Sequence, residues 1–239
     1  MFVHYRTEGL IIKEEDRGEA DRLFTIYTKD FGKLKILGRA IRKIKSKLKG
    51  DFQLFSFTEL EFIQGKTYKT LTDAILIKNF FEIKKDLRKL KIIYQIADAL
   101  DNLVKGEEPD EKIWKLLLGV FDKLNNLELT TCNLQLIYYY FLWNLFSILG
   151  YAPEFYHCIL CQKKLKPEKL YFSSQEGGII CFHCFQGKKI APILITPTTI
   201  KILRLILEKK LSILQKLKVE KSSIKNLRTV SQMLYNYIT

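Results

Sequence analysis

The sequence predicts an α+β chain: a small five-stranded barrel at the amino terminus, followed by an all-helical domain into which a four-cysteine motif is set. Three observations predict it. The first eighty residues break into five short runs rich in Ile, Leu, Thr, Tyr and Phe. From about Phe81 the apolar residues recur every three or four positions, and two Cys-x-x-Cys pairs lie between Cys158 and Cys184. The change of period places a boundary near residue 80, giving domains 1–80 and 81–239, the second carrying the cysteine motif at 158–184. A chain of 239 residues is long enough for two ordinary cores.

The five runs are TEGLIIKEE, ADRLFTIYTKD, GKLKILGRAI, FTELEFIQG and KTYKTLTDAILI, with breaks at DRGE, DFG and QGK. Alternation at Leu23, Thr25, Tyr27 and at Lys33, Lys35, Leu37 gives part of the sheet one wet face. Five short antiparallel strands close most naturally into a barrel, since closure removes exposed edges, and an OB-fold barrel is the expected form.

In DLRKLKIIYQIADALDNLV, the residues Leu87, Leu90, Ile93, Ile96, Ala97, Leu100 and Val104 make one apolar stripe of a helix. EEPDEKIWKLLLGVFDKLNNL adds a helix with an acidic first turn. TTCNLQLIYYYFLWNLFSIL is apolar almost all round and stops at Gly150. Gln135, Asn144 and Ser147 interrupt this last run, which falls short of the roughly 20 apolar residues of a membrane span, so it reads as a buried core helix with Cys132 an inert core thiol. Further on, Thr196 and Pro197 open a helix as N-cap and first residue, and Ser222 or Ser223 caps the last one.

Cys158 and Cys161 form one pair, Cys181 and Cys184 the other, with Gly177 and Gly178 in a turn that returns the second pair to the first. KLYFSS and GGIICF read as the hairpin between them. This spacing fits a structural Zn²⁺ site, one ion per chain, in which four thiolates leave no open coordination position. Disulfides fit poorly with a start, MFVHYRTEGLII, that has no secretory pattern. A redox pair lacks its usual strand-to-helix setting. His157 and His183 flank the ligands and are alternatives to one of them.

Of the net charge of +14, residues 1–80 carry +5, residues 81–150 carry −1 and residues 151–239 carry +10. Uniform lysine enrichment would not leave a neutral middle, so two basic surfaces suited to polyanions are expected, nucleic acid first among them. The densest stretch is GRAIRKIKSKLKG, where Arg39, Arg42, Lys43, Lys45, Lys47 and Lys49 have no acid among them. Such a run is a track for a phosphate backbone, each contact releasing condensed counterion. Phe52, Phe55 and Phe57 follow it; exposed, they would stack on bases, and buried, they would fill the barrel. No phosphate loop, nucleophile elbow, His-Glu-x-x-His or dinucleotide fingerprint is present. The acidic cluster Glu14, Glu15, Asp16, Glu19, Asp21 is interleaved with Arg17 and Arg22 and reads as a solvated turn. No catalytic residues are assigned, and the chain is read as non-enzymatic.

The segment TEGLIIKEEDRGEADRLFTIYTKDFGKLKILGRAIRKIKSKLKGDFQLFSFTELEF resembles the amino-terminal domain of the RecO family of bacterial recombination mediators. The features are Glu-Gly-Leu, an acidic turn with Gly-Glu-Ala-Asp-Arg, an aromatic strand, Gly-Lys, and a basic run closing on a Gly. LGYAPEFYHCILC and the second Cys-x-x-Cys are similar to the family too, so the likeness spans essentially the whole chain. The resemblance implies an OB-fold domain, then a helical domain with a zinc motif. It implies binding of single- and double-stranded DNA and annealing of complementary strands. With RecR, and sometimes RecF, it implies loading of RecA onto DNA coated by single-strand-binding protein, whose acidic carboxy-terminal tail would dock on the helical domain. Zinc ligation carries over to Cys158, Cys161, Cys181 and Cys184. DNA contact carries over to the run Arg39–Lys49, with Arg22, Lys33 and Lys35 on neighbouring strands. Lys201, Arg204, Lys209 and Lys210 mark where the tail site would be sought. The expected function is a cytoplasmic, nucleoid-associated DNA-repair mediator with no membrane partner; the alternative is an RNA- or ribosome-associated zinc-containing binding protein.

Overall fold

The computed structural model describes residues 3–127, 134–186, 192–210, 213–214 and 217–239. Cys132 and the start of the apolar run lie outside them. Strands β1 (His4–Arg17), β2 (Asp21–Thr28), β3 (Gly32–Gly38), β4 (Ser56–Ile63) and β5 (Lys69–Asn79) close into a barrel of order β1-β2-β3-β5-β4. All neighbours are antiparallel except β3 and β5, which meet in parallel at only Ile36↔Lys69 and Leu37↔Thr70. This is the five-stranded closure expected of an OB-type barrel. Its interior is filled by Ile11, Phe24, Ile26, Leu34, Ile36, Leu60 and Phe62, among others, from every strand.

β4 alternates between buried and half-buried residues along its whole length, as a strand with one wet face should. β2 does not: Leu23 to Thr28 are all buried, so the wet face expected from Leu23, Thr25 and Tyr27 is absent there. Helix covers it. The Tyr27 ring lies 6.5 Å from Trp114 and its hydroxyl donates to the Asp110 carbonyl at 3.4 Å. Burial pushes the Tyr27 phenol up to about 12.

Helices α1 (Phe81–Lys85), α2 (Leu87–Leu103) and α3 (Glu111–Asn125) follow. Asp86 and Asp110 cap α2 and α3, each accepting two backbone N–H bonds. Ile93, Ile96, Ala97, Leu100 and Val104 of the predicted stripe are buried, and the structure departs from it at the start of α2. Leu87 at its first position is exposed, while Lys89 is buried because its ammonium reaches the Asn125 carbonyl at the end of α3, 3.2 Å away. By compactness the chain divides at Leu127/Glu128, so α1–α3 belong with the barrel, whereas the change of period falls near residue 80.

The second unit holds α4 (Leu134–Ile148), strands β6 (Leu170–Ser173), β7 (Gly178–Cys181) and β8 (Ile193–Ile195), and helices α5 (Phe182–Phe185), α6 (Pro197–Leu207) and α7 (Lys221–Ile238). α4 is buried nearly all round and ends where Gly150, at φ 91°, lets the Tyr151 N–H turn back to the Phe146 carbonyl at 2.8 Å. Among the described residues no helix is long and apolar enough to cross a membrane. The Trp143 indole N–H of α4 donates to Ser231 Oγ of α7 at 2.8 Å, and Asn144 donates to the Ile206 carbonyl of α6 at 3.2 Å. These bonds satisfy polar groups that would otherwise be orphaned in the core. Thr196 caps α6 with Pro197 at its first position, as the sequence implies. The predicted cap of α7 is corrected: the helix begins at Lys221 with Glu220 at the cap position and no side-chain bond, so Ser222 and Ser223 lie inside its first turn.

Candidate metal centre and nucleic-acid interface

The cysteine segment folds as a hairpin pinned to the α4 core. β6 and β7 pair from Leu170↔Cys181 to Ser173↔Gly178 across a turn in which Gly177 takes φ 73°, and β8 joins the other edge of β6. The third strand was not predicted; its signal, Ile-Leu-Ile between Pro192 and Pro197, is only three residues long. Phe172 of β6 and Phe155 stack 6.2 Å apart, and both rings meet Trp143 of α4. The first Cys-x-x-Cys is a tight knuckle closed by Gln162 N–H to the Cys158 carbonyl (2.8 Å) and Cys158 N–H to the Lys163 carbonyl (2.9 Å). The second places Cys181 at the end of β7 and Cys184 on α5.

The four Sγ atoms of Cys158, Cys161, Cys181 and Cys184 all lie within 4.8 Å of one another, and Cys161 and Cys181 are 3.9 Å apart. A tetrahedron of thiolates around Zn²⁺ with bonds of about 2.3 Å requires S···S edges of about 3.8 Å. The donor set therefore fits a tetrahedral, thiophilic ion. Cys158 is primed for it. Burial opposes its thiolate, but backbone N–H groups of Cys161, Cys181 and Leu160 outweigh burial and hold the thiol at about 6. Desolvation raises Cys181, and the neighbouring Cys158 adds to that. A divalent cation would remove this mutual repulsion by taking all four sulfurs as thiolates. The Nδ1 of His157 lies 3.7 Å from the Glu154 carboxylate, which also accepts the His157 backbone N–H at 3.0 Å. The metal-ligating cluster found among the described residues is the four cysteines alone.

On the barrel, residues 39–50 follow β3 as a loop of turns that includes a short 3₁₀ turn, Lys47–Lys49. Ile41 and the following Phe52 join the barrel core and Leu48 packs on it, whereas Ile44 is 94% exposed. Arg39, Arg42, Lys43, Lys45, Lys47 and Lys49 are all exposed. Ala40, at φ 51°, is held by its N–H to Asp21 at 2.7 Å. The apolar anchors thus fix where the cations stand. Arg42 is tied at the root of the loop, to Asp16 (3.4 Å) and the Gly18 carbonyl (3.0 Å). Arg22 is likewise paired with Glu14 (3.0 Å) and Asp16 (2.8 Å). The acidic turn is therefore the counter-charge of this root.

Lys33 is mostly covered and binds Asp101 of α2 through both its carbonyl (2.5 Å) and its carboxylate (3.1 Å). Lys35 on the same strand is exposed. Phe52 is buried edge-on against Phe24 at 4.8 Å, Phe55 is buried, and Phe57 packs on Trp114 at 5.7 Å. These three phenylalanines fill the unit and do not stand free to stack on bases. In the second unit Arg204 donates to the Phe155 carbonyl at 3.1 Å and lies over the Tyr156 ring, and Lys210 pairs with Glu208 at 2.6 Å. Lys201 is exposed.

A five-stranded OB-type barrel with a cationic loop, followed by a helical unit that carries a four-cysteine cluster, defines a class of architecture suited to holding nucleic acid. Comparison with known proteins gives its family. The family model described as Recombination protein O N terminal matches residues 1–80, and Recombination protein O C terminal matches residues 84–238. The chain is similar to the DNA repair protein RecO of Dehalococcoides mccartyi strain 195, 30% identical over 93% of this chain and 86% of the relative. It is also similar to the DNA repair protein RecO of Acetivibrio thermocellus, 30% identical over 96% and 89%. The protein of that name from Roseiflexus sp. is 33% identical over 78% of this chain and 64% of the relative. The chain belongs to the RecO family of DNA repair proteins.

Proposed function

We infer that this RecO-family chain is a non-enzymatic mediator that binds single- and double-stranded DNA on the barrel loop and anneals complementary strands. With RecR, and RecF where it takes part, it helps load RecA onto DNA coated by single-strand-binding protein. The observation that carries the reading is the loop of residues 39–49, whose cations are all exposed while Ile41, Leu48 and Phe52 anchor it in the barrel. Exposed cations that are held in place neutralise phosphates without reading sequence. Annealing follows without nucleotide hydrolysis: two polyanions on one cationic surface repel each other less, and base pairing supplies the free energy. Zn²⁺ held by Cys158, Cys161, Cys181 and Cys184 supplies a cross-link between knuckle and hairpin in the helical unit. The acidic tail of single-strand-binding protein is assigned to that same basic unit, with exposed Lys201 on α6 the place to begin.

Equilibrium titration of labelled single-stranded DNA, duplex DNA and structured RNA at several salt concentrations tests this, together with the annealing rate of complementary oligonucleotides. Salt-sensitive binding to both DNA forms with accelerated annealing is expected. Preference for folded RNA without annealing would replace this reading with that of an RNA-associated protein.

A further inference from the structure

Beside the root of the basic loop, the first unit contains a cavity of about 510 Å³, walled by β1, β2, the loop and helices α1 and α2. That size lies within the range of roughly 300–1,000 Å³ typical of sites for small molecules. Its floor is apolar and aromatic, built on Phe24, Phe52 and Phe55. Phe55 is held at φ 57°, a conformation costly for a bulky residue, by its N–H bond to the Ile11 carbonyl at 2.9 Å. It meets Tyr94 edge-on at 4.8 Å, and Tyr94 keeps half of its surface exposed. An open aromatic face beside a cationic loop is what a nucleobase stacks on.

The charged walls are unequal. Arg22 and Arg42 are already engaged by Glu14 and Asp16. Lys49 and Lys84 also line the cavity, and neither has a side-chain hydrogen bond or ion pair among the described residues. Lys84 is half-buried, and desolvation lowers its pKa although the nearby Glu14 opposes that. A partly desolvated ammonium that makes no hydrogen bond or ion pair of its own favours an approaching anion.

We propose that this cavity captures one unstacked nucleotide of a DNA single strand lying on the basic loop, with its base against Tyr94 and its phosphate at Lys84 and Lys49. The proposal rests on the DNA-binding reading above and gives it strand discrimination. A paired base is held in its stack and does not reach the cavity, so the loop serves both DNA forms while the cavity serves single strands only.

The test uses the full chain with its metal, labelled single-stranded and duplex oligonucleotides of equal length, and the variants Tyr94→Ala, Tyr94→Phe and Lys84→Ala. Tyr94→Ala is expected to weaken single-strand binding about 5- to 150-fold, the worth of one stacked base, and to leave duplex binding unchanged. Tyr94→Phe retains the affinity because the ring is retained. Lys84→Ala lowers the salt slope on single strands by about 0.7, one phosphate contact. Ultraviolet cross-linking of a 5-iododeoxyuridine oligonucleotide should attach to Tyr94, as read by mass spectrometry. If the wild type binds both DNA forms and the alanine variants change neither, or both equally, the cavity assignment is overturned and the loop assignment stands. If a free mononucleotide fills the cavity while oligonucleotide binding ignores both alanine variants, the single-strand assignment is overturned as well. A wild type that binds no DNA sinks both.

Discussion

Replacing Arg39, Lys43, Lys45, Lys47 and Lys49 together by Ala isolates the electrostatic claim. These five are exposed and have no side-chain hydrogen bond or ion pair among the described residues, whereas Arg42 is bonded to Asp16 and Gly18. The inward residues Ile41, Leu48 and Phe52 are untouched, so the loop keeps its anchors and the melting temperature should hold. If all five meet phosphates, the slope of log K against log salt on single strands changes by about 3.5, at about 0.7 per phosphate. Over a fourfold rise in salt that slope costs the wild type about 100-fold in affinity that the variant does not lose. On duplex DNA the corresponding change is about 4.5. The assay is fluorescence anisotropy of a labelled oligonucleotide between roughly 50 and 200 mM salt. Smaller changes count the contacts made. Identical slopes for wild type and variant would refute the assignment of the loop as the phosphate track.

Cys161→Ser should reduce bound zinc and abolish the sulfur-to-metal charge-transfer band of the cobalt-substituted protein. It should lower the melting temperature while DNA affinity on the barrel persists; lost affinity with an intact fold would mean that the metal does more than brace. Ser231→Ala removes the acceptor of the buried Trp143 N–H and should cost about 1–3 kcal/mol in a urea titration. At Asp86 the Arg88 side chain, and then the backbone N–H groups of Arg88 and Lys89, outweigh desolvation and hold the carboxyl at about 2, below its ordinary 3.8. A depressed carboxyl pKa stabilises the fold fully above the ordinary value, and the contribution disappears as pH falls through about 2. Asp86→Asn should therefore flatten the acid limb of denaturation midpoint against pH between those two values.

What the sequence reveals here depends on whether the signal is local. The five strands, the Thr196 cap and the Gly150 stop each show in a few neighbouring residues, and each is found in the structure. The four cysteines are legible because metal chemistry restricts spacing as well as residue type; their convergence is visible before any fold is drawn. Tertiary contact is not local. Nothing in DRLFTIYT says that Trp114 and Asp110 will cover its outer face, so alternation misjudges β2. Lys33 reads as a cation like Lys35, yet α2 supplies Asp101 to one and nothing to the other. Phe55 and Tyr94 stand thirty-nine positions apart, and the cavity they share leaves no mark on either segment.

The distribution of ion pairs bears on how an annealing surface would work. Glu14 and Asp16 engage Arg22 and Arg42 at the root of the loop, so the two guanidiniums most able to clamp a phosphate bidentately are already occupied. Of the five remaining cations of the loop four are lysines, point charges on flexible stems that neutralise phosphate without fixing its orientation. A strand held that way keeps freedom to shift its register, because each contact is replaced by an equivalent one a nucleotide further along. Complementary strands need that freedom: a surface that locked each strand in place would bring two polyanions together and then stop them from searching for alignment. The duplex formed has the higher charge density and the steeper salt dependence. On this electrostatic account a loop that reads charge and not geometry would release the product as salt rises, since moderate salt would loosen the duplex more steeply than the reactants.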